Sequence, residues 1–197
     1  CVAIPGRKTH FLLDMATTVV ANGKLEIAER KGEEIPHGYV QTLNGSPSEN
    51  PSELKNGGTL LPLGGSMDHA SYKGYGLGSL VDILSGVLSG ANFGPWVPPF
   101  VGFLDTKQEK VGEGIGHFLG AMRVDAFRSK DEFYNSMDQW MKAMKEAKTD
   151  PHTEKVLIPG EPEDETFSIR EKEGIPLNDK VVEKLNKLAN KTGQNCL

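Results

Sequence analysis

Three stretches of the sequence hold residue types whose chemistry goes beyond packing. Asp14 ends the apolar run Thr9-His10-Phe11-Leu12-Leu13 and is followed by Met15-Ala16-Thr17-Thr18. A carboxylate at the end of a strand is placed to orient a histidine or to hold a ribose or amide of a ligand. It can equally cap a helix that follows. Lys73 stands at the mouth of a glycine-bearing turn, Gly74-Tyr75-Gly76-Leu77-Gly78. An ammonium beside exposed backbone N–H groups suits a phosphate or a carboxylate, and a solvated lysine is the plain alternative. Gly160-Glu161 lies between Pro159 and Pro162, a stiffened turn that fits either a ligand contact or a simple bend.

Other candidates fail on spacing. The five histidines (His10, His37, His69, His117, His152) have no metal-ligand spacing and no evident Ser or Cys nucleophile beside them. No metal is expected. Gly74-Tyr75-Gly76-Leu77-Gly78 and Gly112-Glu113-Gly114-Ile115-Gly116 lack the G-x-G-x-x-G spacing, and neither sits between a strand and a helix. The dinucleotide-binding fingerprint of the Rossmann fold is therefore missing.

These residues need elements to position them. Thr9–Asp14 reads as a buried strand, and Met15–Arg30 as a helix stopped by Gly32, with Gly23 weakening its middle. Ile35–Ala70 is rich in Pro, Gly, Ser and Asn and reads as a long loop, which a compact domain keeps only for a task such as lining a site. Lys73–Leu88 reads as a second helix, with Leu77, Leu80, Val81, Leu84 and Leu88 at helical spacing and small residues that admit a close backbone. Ser89–Pro99 is another loop. His117–Val124 alternates like a strand. Ser129-Lys130-Asp131-Glu132 is a capping box opening a helix whose apolar stripe is Phe133, Met137, Trp140, Met141 and Met144, read as core packing. Val156–Ile158 reads as a short strand running into the Pro159–Pro162 turn. Asn178 caps a last helix that buries Val181, Val182, Leu185 and Leu188. The expected class is mixed α/β.

Composition bounds the reading. The chain has 197 residues, 25% charged and 37% apolar, as in ordinary globular proteins. A net charge of −5 with scattered basic residues argues against nucleic acid as partner. The longest apolar stretch, near Leu77–Val87, is interrupted by Gly78, Ser79, Asp82, Ser85 and Gly86 and cannot span a bilayer. Cys1 and Cys196 stand at the two ends, which is no disulfide framework and points to a reducing, cytoplasmic setting. Cys1-Val2-Ala3-Ile4-Pro5 reads like the middle of an apolar strand, so a truncated chain is expected.

Taken together, four stretches carry a resemblance. They are Phe11–Lys24 (FLLDMATTVVANGK); Ile35-Pro36-His37-Gly38-Tyr39 with Leu60-Leu61-Pro62-Leu63-Gly64-Gly65; Tyr72-Lys73-Gly74-Tyr75-Gly76-Leu77 with Val81–Gly90; and Pro159-Gly160-Glu161. In this order they resemble the malate/L-lactate dehydrogenase family, which also holds sulfolactate, ureidoglycolate and diketogulonate oxidoreductases. The chain is expected to be the C-terminal part of such a protein. The resemblance implies a largely antiparallel cofactor-binding sheet flanked by helices, not a Rossmann fold, with C-terminal helices. Residues 1–128 would be part of the NAD(P)-binding domain, and 129–197 a helical part packing on an absent N-terminal domain.

The resemblance also implies a homodimer using NAD or NADP to interconvert a 2-hydroxy acid and a 2-oxo acid. Malate/oxaloacetate and lactate/pyruvate are the pairs expected first. The implied cofactor-binding residues are Leu12, Leu13, Asp14, Met15, Ala16, Tyr72, Lys73, Gly160, Glu161 and Pro162. Asp14 would also orient the catalytic histidine, which in the family lies upstream of the stretch matched here, as do the substrate-anchoring Ser, His and Arg. None of the histidines of this chain falls in the motif that holds the family's proton-transferring histidine, so no proton donor is assigned here. Another family substrate, or a catalytically incomplete cofactor-binding or dimerisation module, are the competing readings.

Overall fold

The computed structural model describes residues 1–99 and 109–195. In chain order it runs through strands β1 (Val2–Ile4) and β2 (Phe11–Leu13) and helix α1 (Asn22–Lys31). Strands β3 (Val40–Gln41), β4 (Pro47–Ser48) and β5 (Thr59–Leu60) follow. Helices α2 (Tyr72–Asp82), α3 (Lys130–Lys145), α4 (Glu161–Glu173) and α5 (Asp179–Thr192) complete it. Among the described residues both sheets are antiparallel and small: β1 pairs with β2, and β3 lies between β4 and β5. The mixed class is as the sequence predicts. The chain divides into two compact units, Cys1–Asp14 with Val124–Leu197, and Met15–Arg123.

In the first unit the β1–β2 hairpin packs on α3. Ser129 accepts a hydrogen bond from the Glu132 N–H, and the Glu132 carboxylate accepts in return from the Ser129 N–H, the capping box read in the sequence. The stripe of α3 then meets the hairpin. Phe11 and Trp140 rings meet edge to face with centroids 5.9 Å apart, the Thr9 hydroxyl lies 3.5 Å from the Met141 sulfur, and Met141 is buried. Arg7 adds ion pairs to Asp131 and Asp138 and lies over the Tyr134 ring. Core packing is right for Met141 and only half right for Trp140 and Met144, which stay about 40% exposed at 42% and 40%.

Val156–Ile158, predicted as a short strand, forms none. The Ile158 N–H is taken by the Glu161 carboxylate and Pro159 has no N–H to give, so the segment cannot build a ladder. It offers one rung: the Leu12 N–H donates to the Pro159 carbonyl at 2.9 Å. Helix α4 lacks an apolar stripe, so periodicity does not predict it. Its end signals were nonetheless present: Pro162 in the first turn, Glu161, Glu163 and Asp164 at the positive end of the helix dipole, and Gly174 after the last turn. Asn178 caps α5 by accepting from the Lys180 N–H, as predicted. The stripe of α5 is not buried as predicted: Val182 is half-buried, and Val181, Leu185 and Leu188 are exposed.

In the second unit the core is Leu25 and Ala28 of α1 with Ile35 and Val40, and Val20, Tyr39, Leu54 and Leu60 pack around it. Helix α1 begins at Asn22, seven residues later than predicted, and ends on Gly32 in the left-handed conformation (φ 72°) as predicted. The β-branched run Thr17-Thr18-Val19-Val20 disfavours helix there, and the segment bends around an isolated bridge instead. The Val19 N–H donates to Leu61 and the Leu63 N–H to Thr17, both at 2.9 Å, around a Thr18–Pro62 bridge. The stretch predicted as one loop from Ile35 to Ala70 holds β3, β4, β5 and two short 3₁₀ turns. Strands of two residues carry no readable alternation; fully buried Val40 organises them.

The second helix matches its prediction closely, with one change: after Asp82 the last turn, Ile83–Val87, widens to π geometry. The small residues do admit close backbones, since a Cβ on Gly86 would lie 2.9 Å from the Asn92 carbonyl, and Gly116 packs on the Ser85 carbonyl. His117–Val124, predicted as a strand, pairs with no strand among the described residues: Leu119 is 91% exposed and Val124 opens a 3₁₀ turn. Alternation supplies two faces but no hydrogen-bonding partner, and without one a strand does not form.

Candidate functional site

The first unit contains a cavity of about 390 Å³ floored by the end of β2 and roofed by the Pro159 turn. Leu12, Leu13 and Asp14 line one side; Leu157, Ile158, Pro159, Gly160, Pro162 and Glu163 line the other. Of the residues predicted to contact a cofactor, Leu12, Leu13, Asp14, Gly160 and Pro162 are thereby brought together from positions about 150 apart in sequence. Leu157, Ile158, Pro159 and Glu163 were not among the predicted cofactor residues, although the apolar Val156–Ile158 run leading into Pro159 and Pro162 was a signal for them.

The turn is held on every side. Gly160 has φ 100°, a left-handed conformation that glycine alone adopts without strain. A Cβ there would lie 3.0 Å from the Leu12 Cβ, so the turn sits as close to β2 as backbone allows. The Glu161 N–H donates to the Ile158 carbonyl and the Asp164 N–H to the Gly160 carbonyl, at 2.9 and 3.1 Å, opening α4. The Glu161 side chain turns back on the turn: one carboxylate oxygen accepts from the Ile158 N–H at 2.9 Å and the other from the Lys145 ammonium. These two partners, the backbone N–H first, hold the Glu161 carboxyl below the usual carboxylate range.

Asp14 stands exposed at the rim of the cavity. It does not cap a helix: α1 starts at Asn22 and its N-cap position is Ala21. The capping alternative is thereby removed, and a carboxylate facing an apolar cavity remains. On the neighbouring hairpin loop, His10 accepts from the Gly6 N–H through Nδ1 at 3.4 Å, which orders the approach to β2.

Met15, Ala16, Tyr72 and Lys73 belong to the second unit. Gly74 is buried with its Cα against the Leu63 backbone, which seats the first turn of α2 on the 61–65 loop. Tyr72 is 60% exposed and lines a cavity of about 570 Å³ with Gln41, Met67, Asp68, Ser71 and Tyr75. Lys73 is exposed on that same first turn, its N–H bonded to the Ala70 carbonyl at 3.0 Å.

Both cavities have volumes within the roughly 300–1,000 Å³ of small-molecule sites. The first has apolar walls of Leu12, Ile158 and Pro159, a carboxylate at the rim, and a turn whose glycine carries no side chain. Among the described residues no group of three or more His, Cys, Asp or Glu is placed to hold a metal. No helix of the described residues is long and apolar enough to cross a membrane.

Residues 1–186 match the family described as malate/L-lactate dehydrogenase. A malate dehydrogenase of Pyrococcus abyssi is 39% identical over 193 residues, covering 98% of this chain and 51% of its own length. A malate/(S)-sulfolactate dehydrogenase of Methanothermus fervidus is 38% identical over 188 residues, covering 95% of this chain and 50% of its own. A solved malate dehydrogenase of Entamoeba histolytica superposes with a TM-score of 0.80 at 27% identity, over 98% of this chain and 54% of the other. The chain spans about half the length of the curated relatives it matches.

Proposed function

The chain belongs to the malate/L-lactate dehydrogenase family, and from that premise we propose that it forms part of an NAD- or NADP-dependent oxidoreductase interconverting a 2-hydroxy acid and its 2-oxo acid. The observation that carries the reading is the cavity between β2 and the Pro159 turn, where five of the ten cofactor residues implied by resemblance converge. Malate and oxaloacetate are the first pair proposed, in keeping with the Pyrococcus and Entamoeba relatives; sulfolactate follows from the Methanothermus one.

When bound, the cofactor supplies the hydride chemistry, and the protein contributes binding, orientation and proton handling. Leu12, Ile158 and Pro159 give the nicotinamide ring an apolar wall and keep water from it. The Gly160–Pro162 backbone bounds the opposite side. Asp14 orients the histidine that exchanges the hydroxyl proton; the resemblance puts that histidine in the part of the relatives' length this chain does not span. Lys73 answers the anionic oxygens of the dinucleotide, with Tyr72 beside it. We further propose a homodimer: Leu80, Val81 and Leu88, on or just after α2, are each more than half exposed (53–66%), an apolar face that suits a partner.

The test is consumption of NADH or NADPH by the full-length protein with oxaloacetate, pyruvate and sulfopyruvate in turn. Oxidation of either dinucleotide by one of these acids is expected, with oxaloacetate fastest. A protein that binds dinucleotide and reduces none of them is instead the non-catalytic module.

A further inference from the structure

We propose that Lys145 is a positioning residue for cofactor binding: from the last turn of α3 it clamps the Glu161 carboxylate against the Ile158 N–H and so fixes where the Pro159–Gly160 backbone stands over β2. The proposal rests on the reading that this turn borders the nicotinamide.

The two oxygens of Glu161 have separate tasks. Oε2 accepts from the Ile158 N–H at 2.9 Å, while Oε1 receives the Lys145 Nζ. With its own N–H bonded to the Ile158 carbonyl, Glu161 grips residue 158 through both backbone and side chain. The carboxylate is thus used up within the turn and contributes to the site through the backbone it holds. Its side chain is only 12% exposed, so it has little water to fall back on. Removing the partner of a covered charge leaves it poorly compensated, and the carboxylate then swings outward and releases the Ile158 N–H. Directly after the clamped residue come Pro159, which accepts from the Leu12 N–H, and Gly160, which has no spare space against Leu12. A shift at residue 158 therefore passes into the cavity wall.

The same helix carries its own control. Lys155 pairs with Glu165 of α4, but both side chains are more than half exposed (57% and 54%) and Glu165 holds no backbone N–H. Lys155 adds a weaker through-space attraction to Glu161 but is bonded to Glu165; of the two pairs, Lys145–Glu161 is the one bonded to the turn.

The experiment is titration of dihydronicotinamide fluorescence in the full-length protein with NADH and NADPH, beside thermal melting, for Lys145→Met, Lys145→Arg and Lys155→Met. Lys145→Met should raise the Kd of the dinucleotide that the wild type binds by about tenfold, the size of one charge-assisted hydrogen bond. The cofactor KM should rise with it while kcat stays within about twofold. Lys145→Arg should recover most of the affinity, and Lys155→Met should bind as the wild type does. A Lys145→Met protein that melts lower yet binds with unchanged Kd overturns the proposal, because the ion pair is then merely structural. Equal weakening by Lys155→Met overturns it as well. A wild type that binds neither dinucleotide overturns the functional reading itself, and this inference with it.

Discussion

The Pro159–Pro162 turn and the first turn of α2 are both glycine-bearing and both predicted to meet the cofactor, yet they are built in opposite ways. In the turn the backbone is the working part. Gly160 is wedged on Leu12, Pro159 is bonded to β2, and the one acid nearby is spent on holding residue 158. At α2 the backbone is the support: Gly74 is pressed on Leu63 so that Tyr72 and Lys73 project outward, exposed. Substitutions in the turn should therefore act by moving a wall, and substitutions at α2 by deleting a contact. A wall is lost all at once; a contact is lost singly.

The largest effect expected is from Gly160→Val. A left-handed φ costs a β-branched residue on the order of 1–3 kcal/mol, and its side chain adds a clash with Leu12. Dinucleotide binding should fall more than about 100-fold, with a lower melting temperature. Wild-type affinity in this variant, measured by calorimetry, would break the comparison outright.

Next is Asp14→Asn, which keeps the shape of the rim and removes its charge. Turnover should drop roughly 100-fold while cofactor Kd changes less than about twofold, since an orienting carboxylate acts on proton transfer. Unchanged kcat would remove Asp14 from the site. Lys73→Ala should raise cofactor Kd about fivefold without lowering the melting temperature, and the loss should shrink at high salt as for any exposed charge. Equal Kd at low salt would refute its role.

A smaller effect follows from Glu161. Its carboxyl is held below the ordinary carboxylate value, so its contribution is complete above that value and is lost as pH falls through the lowered one. Cofactor affinity should therefore stay level from neutrality down through the ordinary carboxylate range and weaken only below it. Weakening that begins near neutrality would point to a different group. The smallest effect is Ser129→Ala, which removes the α3 cap and should cost about 1 kcal/mol of stability with Kd unchanged.

What could be read in the sequence, and what could not, follows the same division. Local chemistry was legible: Gly32 stops α1, Ser129 and Glu132 open α3, and Asn178 opens α5, because each cap is made within a few residues. The strand before Asp14 was legible in part: it was read as buried over Thr9–Asp14 and is formed over Phe11–Leu13, with Leu12 40% exposed. Pairing was not. His117–Val124 alternates as a strand does and Val181–Leu188 repeats as a buried face does, but neither pattern says what lies opposite, and both remain exposed. Nor could spacing show that residues 1–14 fold with residues 124–197, which is what joins Leu12 to Gly160. The resemblance brought those two stretches into one list of cofactor residues; Lys145, which touches the turn only through Glu161, was outside its reach.

The central claim is that the cavity between β2 and the Pro159 turn receives the nicotinamide. A crystal structure of the full-length protein with NADH or NADPH tests it most directly. The ring should lie between Leu12–Asp14 and Pro159–Gly160, with the Glu161 carboxylate still on the Ile158 N–H. A nicotinamide bound elsewhere, with this cavity holding only water, would contradict the account.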